Sequence, residues 1–167
     1  MSPERRPAPG KLLCDLVVID SVTGNEKEVM LFLEDRLARL GASITRYPMG
    51  EGRYNLLGSI GSGRPVICLN AHADTMPPSG QSVPRSVLEE GIVRGLGSCD
   101  DKASITSMLL ALQSLARCKL KGRLDLLVSI DEEVSSNGVR TCVQNGYRCD
   151  FAIVGEPTGL APVIAHS

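Results

Sequence analysis

Four short stretches carry side chains able to do chemistry: His72 and Asp74 in "NAHAD", Asp100 in "GSCDDKAS", Asp131 to Glu133 in "SIDEE", and Glu156 in "VGEPTG". Carboxylates brought together repel one another, and a divalent cation relieves that repulsion. One imidazole with Asp and Glu is a donor set suited to Zn²⁺ or a similar ion. Each stretch also has an ordinary reading: a structural histidine, a turn acid, a helix cap at Asp100 or Asp101, a solvated helix start, an exposed turn. The His72 and Asp74 pair is the stronger signal, because residues two apart on a strand share a face and a carboxylate commonly orients a metal-bound imidazole.

The elements that must position these residues are legible as apolar runs. Buried strands are expected at 65 to 71, 123 to 130 and 150 to 155, so that His72 with Asp74, Asp131 to Glu133, and Glu156 each follow a strand's C-terminal end. In an open α/β sheet that edge forms the ligand crevice. Asp100 stands at the mouth of a helix with Ile105, Met108, Leu109, Leu112 and Leu115 at helical spacing. Upstream, a helix is expected near 11 to 20, followed by a second in "GNEKEVMLFLEDRLARLGA". There Asn25 with Glu28 resembles a capping box, Gly41 is a stop, and Val29, Phe32, Leu33, Leu37 and Leu40 form the stripe. Strands at 42 to 48 and 53 to 60, a "GSG" turn at 61 to 63, a loop at 77 to 85 and a helix near 136 to 146 complete the pattern. No helix follows "GSG", which argues for a turn over a phosphate cradle. The alternation reads as α/β, with no domain boundary inside the chain.

Composition narrows the classes. Aromatic residues are 3% of the 167 and Trp is absent, so the core must be aliphatic. With 18 basic against 19 acidic residues, nothing draws the chain generally to nucleic acid or an anionic membrane. The basic stretch "RCKLKGR" reads as a solvated helix end. Six cysteines without a CxxC pair, several of them in apolar segments, suit a reducing cytoplasm. The N-terminus does not read as a signal peptide, and no apolar run approaches the ~20 residues that span a bilayer.

Taken in order, "NAHADTMPP", "GLGSCDDKAS", "SIDEE" and "VGEPTG" resemble the co-catalytic zinc metallopeptidase and deacylase family. Acetylornithine deacetylase, succinyl-diaminopimelate desuccinylase, aminoacylase and glutamate carboxypeptidase are among its members. The resemblance covers residues 11 to 167. It implies a three-layer mixed sheet with helices on both faces, interrupted in full-length, homodimeric members by a lid or dimerisation domain. It also implies hydrolysis of amide bonds in N-acyl amino acids or short peptides by water activated on two Zn²⁺ ions, with Co²⁺ or Mn²⁺ as alternatives. By resemblance His72 and Glu156 bind one metal, Asp100 bridges two, Glu133 binds the second, Glu132 is the general base and Asp74 supports His72. The peptide joining Asp100 to Asp101 is expected to be cis.

Departures are local. Gly95-Leu96-Gly97 stands where relatives usually have Gly-Arg-Gly, Ala103-Ser104 replaces a frequent Gly pair, and "SVPRSVLEEG" replaces an aromatic-acid-Pro-Phe stretch tied to substrate choice. The family's last ligand is a histidine beyond the lid, and His166 reads as the entry to that lid instead of a substitute ligand. The expectation is therefore an N-terminal portion of a catalytic domain, residues 1 to 167, with lid and C-terminal segment missing and little activity alone. The rival reading is a truncated, noncatalytic metal-binding or interaction protein built on the same fold.

Overall fold

A computed structural model describes residues 8–78 and 86–164. His166 and most of the loop expected at 77 to 85 lie outside the described residues. The chain runs α1 (Pro9–Val17), α2 (Lys27–Arg39), β1 (Ser43–Gly50), β2 (Arg53–Gly61), β3 (Val66–His72), β4 (Val87–Glu89), β5 (Ile92–Arg94), α3 (Lys102–Leu115), β6 (Arg123–Ser129), α4 (Glu132–Ser135), α5 (Asn137–Gln144) and β7 (Phe151–Val154).

Five strands form one mixed sheet in the order β1-β2-β6-β3-β7. The β1-β2 and β2-β6 pairs are antiparallel, whereas β3 runs parallel to both β6 and β7. Register pairs His72 with Ser129 and Asn70 with Val154, so the C-terminal ends of β6, β3 and β7 line up along one edge.

The two-residue period of the strands divides the core. Leu56, Leu69, Ala71, Leu126 and Val128 face α1, α2 and α3, where they meet Leu12, Leu33, Leu37, Ile105 and Leu112. Leu57, Cys68 and Leu127 face the other way, onto Cys142 of α5 and Tyr147. Helices therefore cover both faces, giving the three layers expected. α1 starts with a proline in its first turn, where the missing N–H has no intrahelical partner to lose. α2 stops at Gly41, whose φ of 76° suits a residue without a Cβ.

Several local expectations fail for physical reasons. The Asn25 capping box does not form: Glu26 occupies the cap position of α2 without a side-chain cap bond, because its carboxylate turns to Arg53. On α2 Met30 is fully buried while Phe32 and Leu40 only partly are, and on α3 Leu115 is exposed at the last turn. The helix expected near 136 to 146 does form, as α5, but a separate short α4 precedes it across Ser136, which has a left-handed φ of 53°. Phe151, Ile153 and Val154 are exposed, although an apolar strand of that composition reads as buried. The β4-β5 hairpin was not anticipated.

Candidate metal centre

His72 closes β3 and is 2% exposed. Its Nδ1 lies 3.0 Å from the Asp74 carbonyl oxygen and 3.5 Å from the Asp74 carboxylate, which leaves Nε2 aimed at Asp100 Oδ1, 2.9 Å away. The Asp100 side chain is half exposed, whereas the next residue, Asp101, is buried and accepts the His72 backbone N–H at 3.2 Å. The peptide joining them is cis, as the resemblance implies.

The second contribution comes from the turn after β6. Asp131 has a φ of 65°, a left-handed conformation unusual for a residue with a Cβ, and Glu132 and Glu133 follow it as the first turn of α4. Their backbone N–H groups donate to the two oxygens of Asp74 at 3.1 and 3.2 Å, and Thr23 Oγ1 donates to the same carboxylate at 2.9 Å. Asp74 therefore does not reach the open site. It ties the end of β3 to the turn bearing the acids.

One ligand atom from each of His72, Asp100 and Glu133 lies within 4.8 Å of the others. Glu156, just past β7, is not in that group; it lines, with His72 and Glu132, an adjoining cleft of about 260 Å³. The resemblance assigns His72 and Glu156 to one metal; both line this cleft, and Glu133 is the acid that groups with His72 and Asp100.

The electrostatics suit a cation. Burial alone would hold the His72 imidazole down, yet hydrogen bonds to Asp74 and Asp100 with Asp101 nearby push it up to about 10. Burial and the Asp100 charge raise Glu133, and Glu156 is raised by burial and by Asp100, Glu132 and Glu133, against the pull of His72. Acids crowded this closely around one imidazole hold protons in place of a cation, and a divalent ion would displace those protons, since it binds the neutral imidazole and the ionised carboxylates.

The sequence profile of Peptidase family M20/M25/M40 matches residues 68–166. The chain belongs to that family.

Among its relatives, acetylornithine deacetylase of Proteus mirabilis is 37% identical over 88% of this chain and 40% of its own length. Succinyl-diaminopimelate desuccinylase of an Azoarcus strain is 32% identical over 89% of the chain and 42% of its own. Among solved structures, a Staphylococcus aureus tripeptidase superposes with a TM-score of 0.73 at 25% identity, covering 87% of this chain and 42% of that one. Human carnosine dipeptidase 1 shares the fold, with a TM-score of 0.75 at 19% identity over 87% of this chain and 37% of its own. The chain thus spans about two fifths of the length of the relatives it matches.

In this family member several supports of the site escaped the sequence reading. Buried Asn55 of β2 donates to the Gly138 carbonyl at 3.1 Å and accepts the Ile130 N–H at 3.0 Å, clamping both sides of the acidic turn. A Cβ on Gly138 would strike the Ile130 carbonyl and lie 2.7 Å from Asn55 Oδ1, so glycine is required there. Arg53, Glu26 and Thr23 also converge on the turn. The one signal available was a pair of polar residues, Arg53 and Asn55, leading into the apolar Leu56-Leu57 of β2.

Proposed function

We propose that this chain supplies the metal-binding part of a hydrolase acting on amide bonds of N-acyl amino acids or short peptides. The observation that carries the reading is the convergence of His72, Asp100 and Glu133 beside a cleft that Glu132 also lines. His72, Asp100 and Glu133 would hold one divalent ion, Zn²⁺ first and Co²⁺ or Mn²⁺ as substitutes, with Glu156 and the Asp100 carboxylate available to a second. When bound, such an ion polarises a carbonyl and makes water a nucleophile near neutral pH.

The remaining work falls to the chain's own groups. Glu132 is the general base, taking a proton from the attacking water and passing it to the departing nitrogen. Asp74 keeps His72 in the tautomer that presents Nε2 and fixes the backbone from which Glu132 and Glu133 project. The names of the two relatives, a deacetylase and a desuccinylase, support an acyl amino acid as substrate. Their greater length supports reading residues 1 to 167 as the N-terminal portion of a catalytic domain whose lid and C-terminal segment lie elsewhere. Six free cysteines support a cytoplasmic setting.

The test is metal analysis after dialysis, run alongside hydrolysis of a panel of N-acetyl, N-succinyl and aminoacyl amino acids. The 167-residue chain should retain one ion and turn over little. A chain that takes up no divalent ion would overturn the reading. Two tightly held ions with fast turnover would overturn the assignment as a portion of a catalytic domain.

A further inference from the structure

We propose that Arg53, which none of the motifs includes, is a positioning residue for the metal centre, acting through Asp131; the inference rests on the hydrolase reading above. Arg53 opens β2 and grips the Glu26 carboxylate with two hydrogen bonds, Nε to Oε2 at 2.9 Å and Nη2 to Oε1 at 2.6 Å. Glu26 is 1% exposed, and its Oε1 also accepts the Gly24 N–H at 2.9 Å. A buried carboxylate held in this way gives the guanidinium a fixed anchor. From it, Nη2 reaches Asp131 Oδ1 at 3.4 Å.

Asp131 is where position matters. Its left-handed backbone sets the direction in which Glu132 and Glu133 leave β6, and a residue with a Cβ holds that conformation only when its surroundings enforce it. Its other carboxylate oxygen accepts the Ser135 hydroxyl, so both ends of α4 depend on this one side chain. The segment from Ser21 to Glu26 reaches the acidic turn by two arms. Thr23 acts through Asp74 on the backbone N–H groups of Glu132 and Glu133, and Glu26 acts through Arg53 on Asp131. The first arm is part of the histidine's own motif. The second is separate from it and spans 27 residues from Glu26 to Arg53 and 78 from Arg53 to Asp131.

The experiment titrates the full chain with Co²⁺, whose visible absorption reports ligand geometry, and follows urea unfolding of the same samples. Arg53→Met should bind roughly 10- to 100-fold more weakly with an altered spectrum, the usual loss when an outer support of a ligand is removed. Arg53→Lys should recover part of the affinity. The double change Arg53→Met with Glu26→Gln removes the buried charge left behind, so it should regain stability without regaining affinity. Asp131→Asn, which keeps the shape of the turn, should lose affinity if Arg53→Met fails to fold. Arg46→Met is the control, because Arg46 makes a similar paired contact with Glu34, at 2.9 and 2.8 Å, away from the site. It should leave Co²⁺ binding unchanged. Wild-type affinity and spectrum in Arg53→Met, or in Asp131→Asn where only that variant folds, overturn the inference and leave the hydrolase reading standing. So does a double variant that regains affinity together with stability. No Co²⁺ binding by the unaltered chain overturns both.

Discussion

Asp74 holds Glu132 by its backbone: the Glu132 N–H donates to Asp74 Oδ1 at 3.1 Å, from a position 58 residues further along the chain. Three donors converge on this buried carboxylate, the N–H groups of Glu132 and Glu133 and the Thr23 hydroxyl. Burial alone would raise Asp74, yet His72 and these donors hold it below the usual carboxylate range.

Asp74→Asn should therefore damage the centre although the substitution is nearly isosteric. An amide offers one acceptor oxygen, so a backbone N–H is left facing an NH₂ group. A buried donor without a partner costs about 1–3 kcal/mol, read as a shift in urea unfolding. Loss of the support should weaken divalent-ion binding by roughly 10- to 100-fold. Wild-type metal affinity in Asp74→Asn would show that the turn holds itself.

Leu37 and Gly58 make a second, independent test, in the core. Leu37 is fully buried, and a Cβ on Gly58 would lie 2.7 Å from both of its methyl groups. Leu37→Ala should cost about 2–5 kcal/mol as a cavity, and Gly58→Ala about 1–3 kcal/mol by overpacking. Combined, the new methyl enters the space vacated, so the double variant should be more stable than the sum of the two losses predicts. Simple additivity in urea unfolding would show that β2 and α2 do not touch there.

The same edge of the sheet carries a pH signature. Hydrogen bonds from Arg46 hold Glu34 below its usual value of 4.5, with Tyr54 assisting against partial burial. A carboxylate with a depressed folded pKa stabilises the fold above its unfolded pKa, and that contribution is lost as pH falls through the folded value. Unfolding free energy measured from pH 6 down to 3 should therefore fall less steeply in Glu34→Gln than in the unaltered chain. Equal slopes would show that the Arg46 pair contributes nothing to acid sensitivity.

What was legible in the sequence followed from local pattern. β3 and β6 are apolar runs, and the acids after them identify the C-terminal edge without any knowledge of pairing. Long-range polar partnerships left no such trace. Glu26 looks like a solvated residue at a helix start, and only the position of Arg53, brought near by the β1-β2 hairpin, makes it a buried anchor. Glu133 and Glu156 were equivalent as sequence, each an acid just beyond a strand. What groups Glu133 with His72 and Asp100 is the turn after β6, where the left-handed Asp131 sets the direction of α4. Composition misled at β7, because Phe151 and Ile153 read as core whatever covers them.

The sharpest prediction separates the two adjacent acids. Glu133 stands within 4.8 Å of the ligand atoms of His72 and Asp100, while Glu132 lines the cleft beside them. Under the proposed hydrolase reading, Glu132→Gln should keep its metal and lose roughly 10²- to 10⁴-fold in kcat on an N-acyl amino acid, since an amide cannot accept the proton from water. Glu133→Gln should instead lose metal, because it removes an anionic ligand from a group of three, and added metal should restore part of its turnover. The two variants therefore differ in rescue as well as in rate. If Glu132→Gln loses metal while Glu133→Gln keeps it, the roles are exchanged; if neither changes kcat or metal content, the acids after β6 take no part in the reaction.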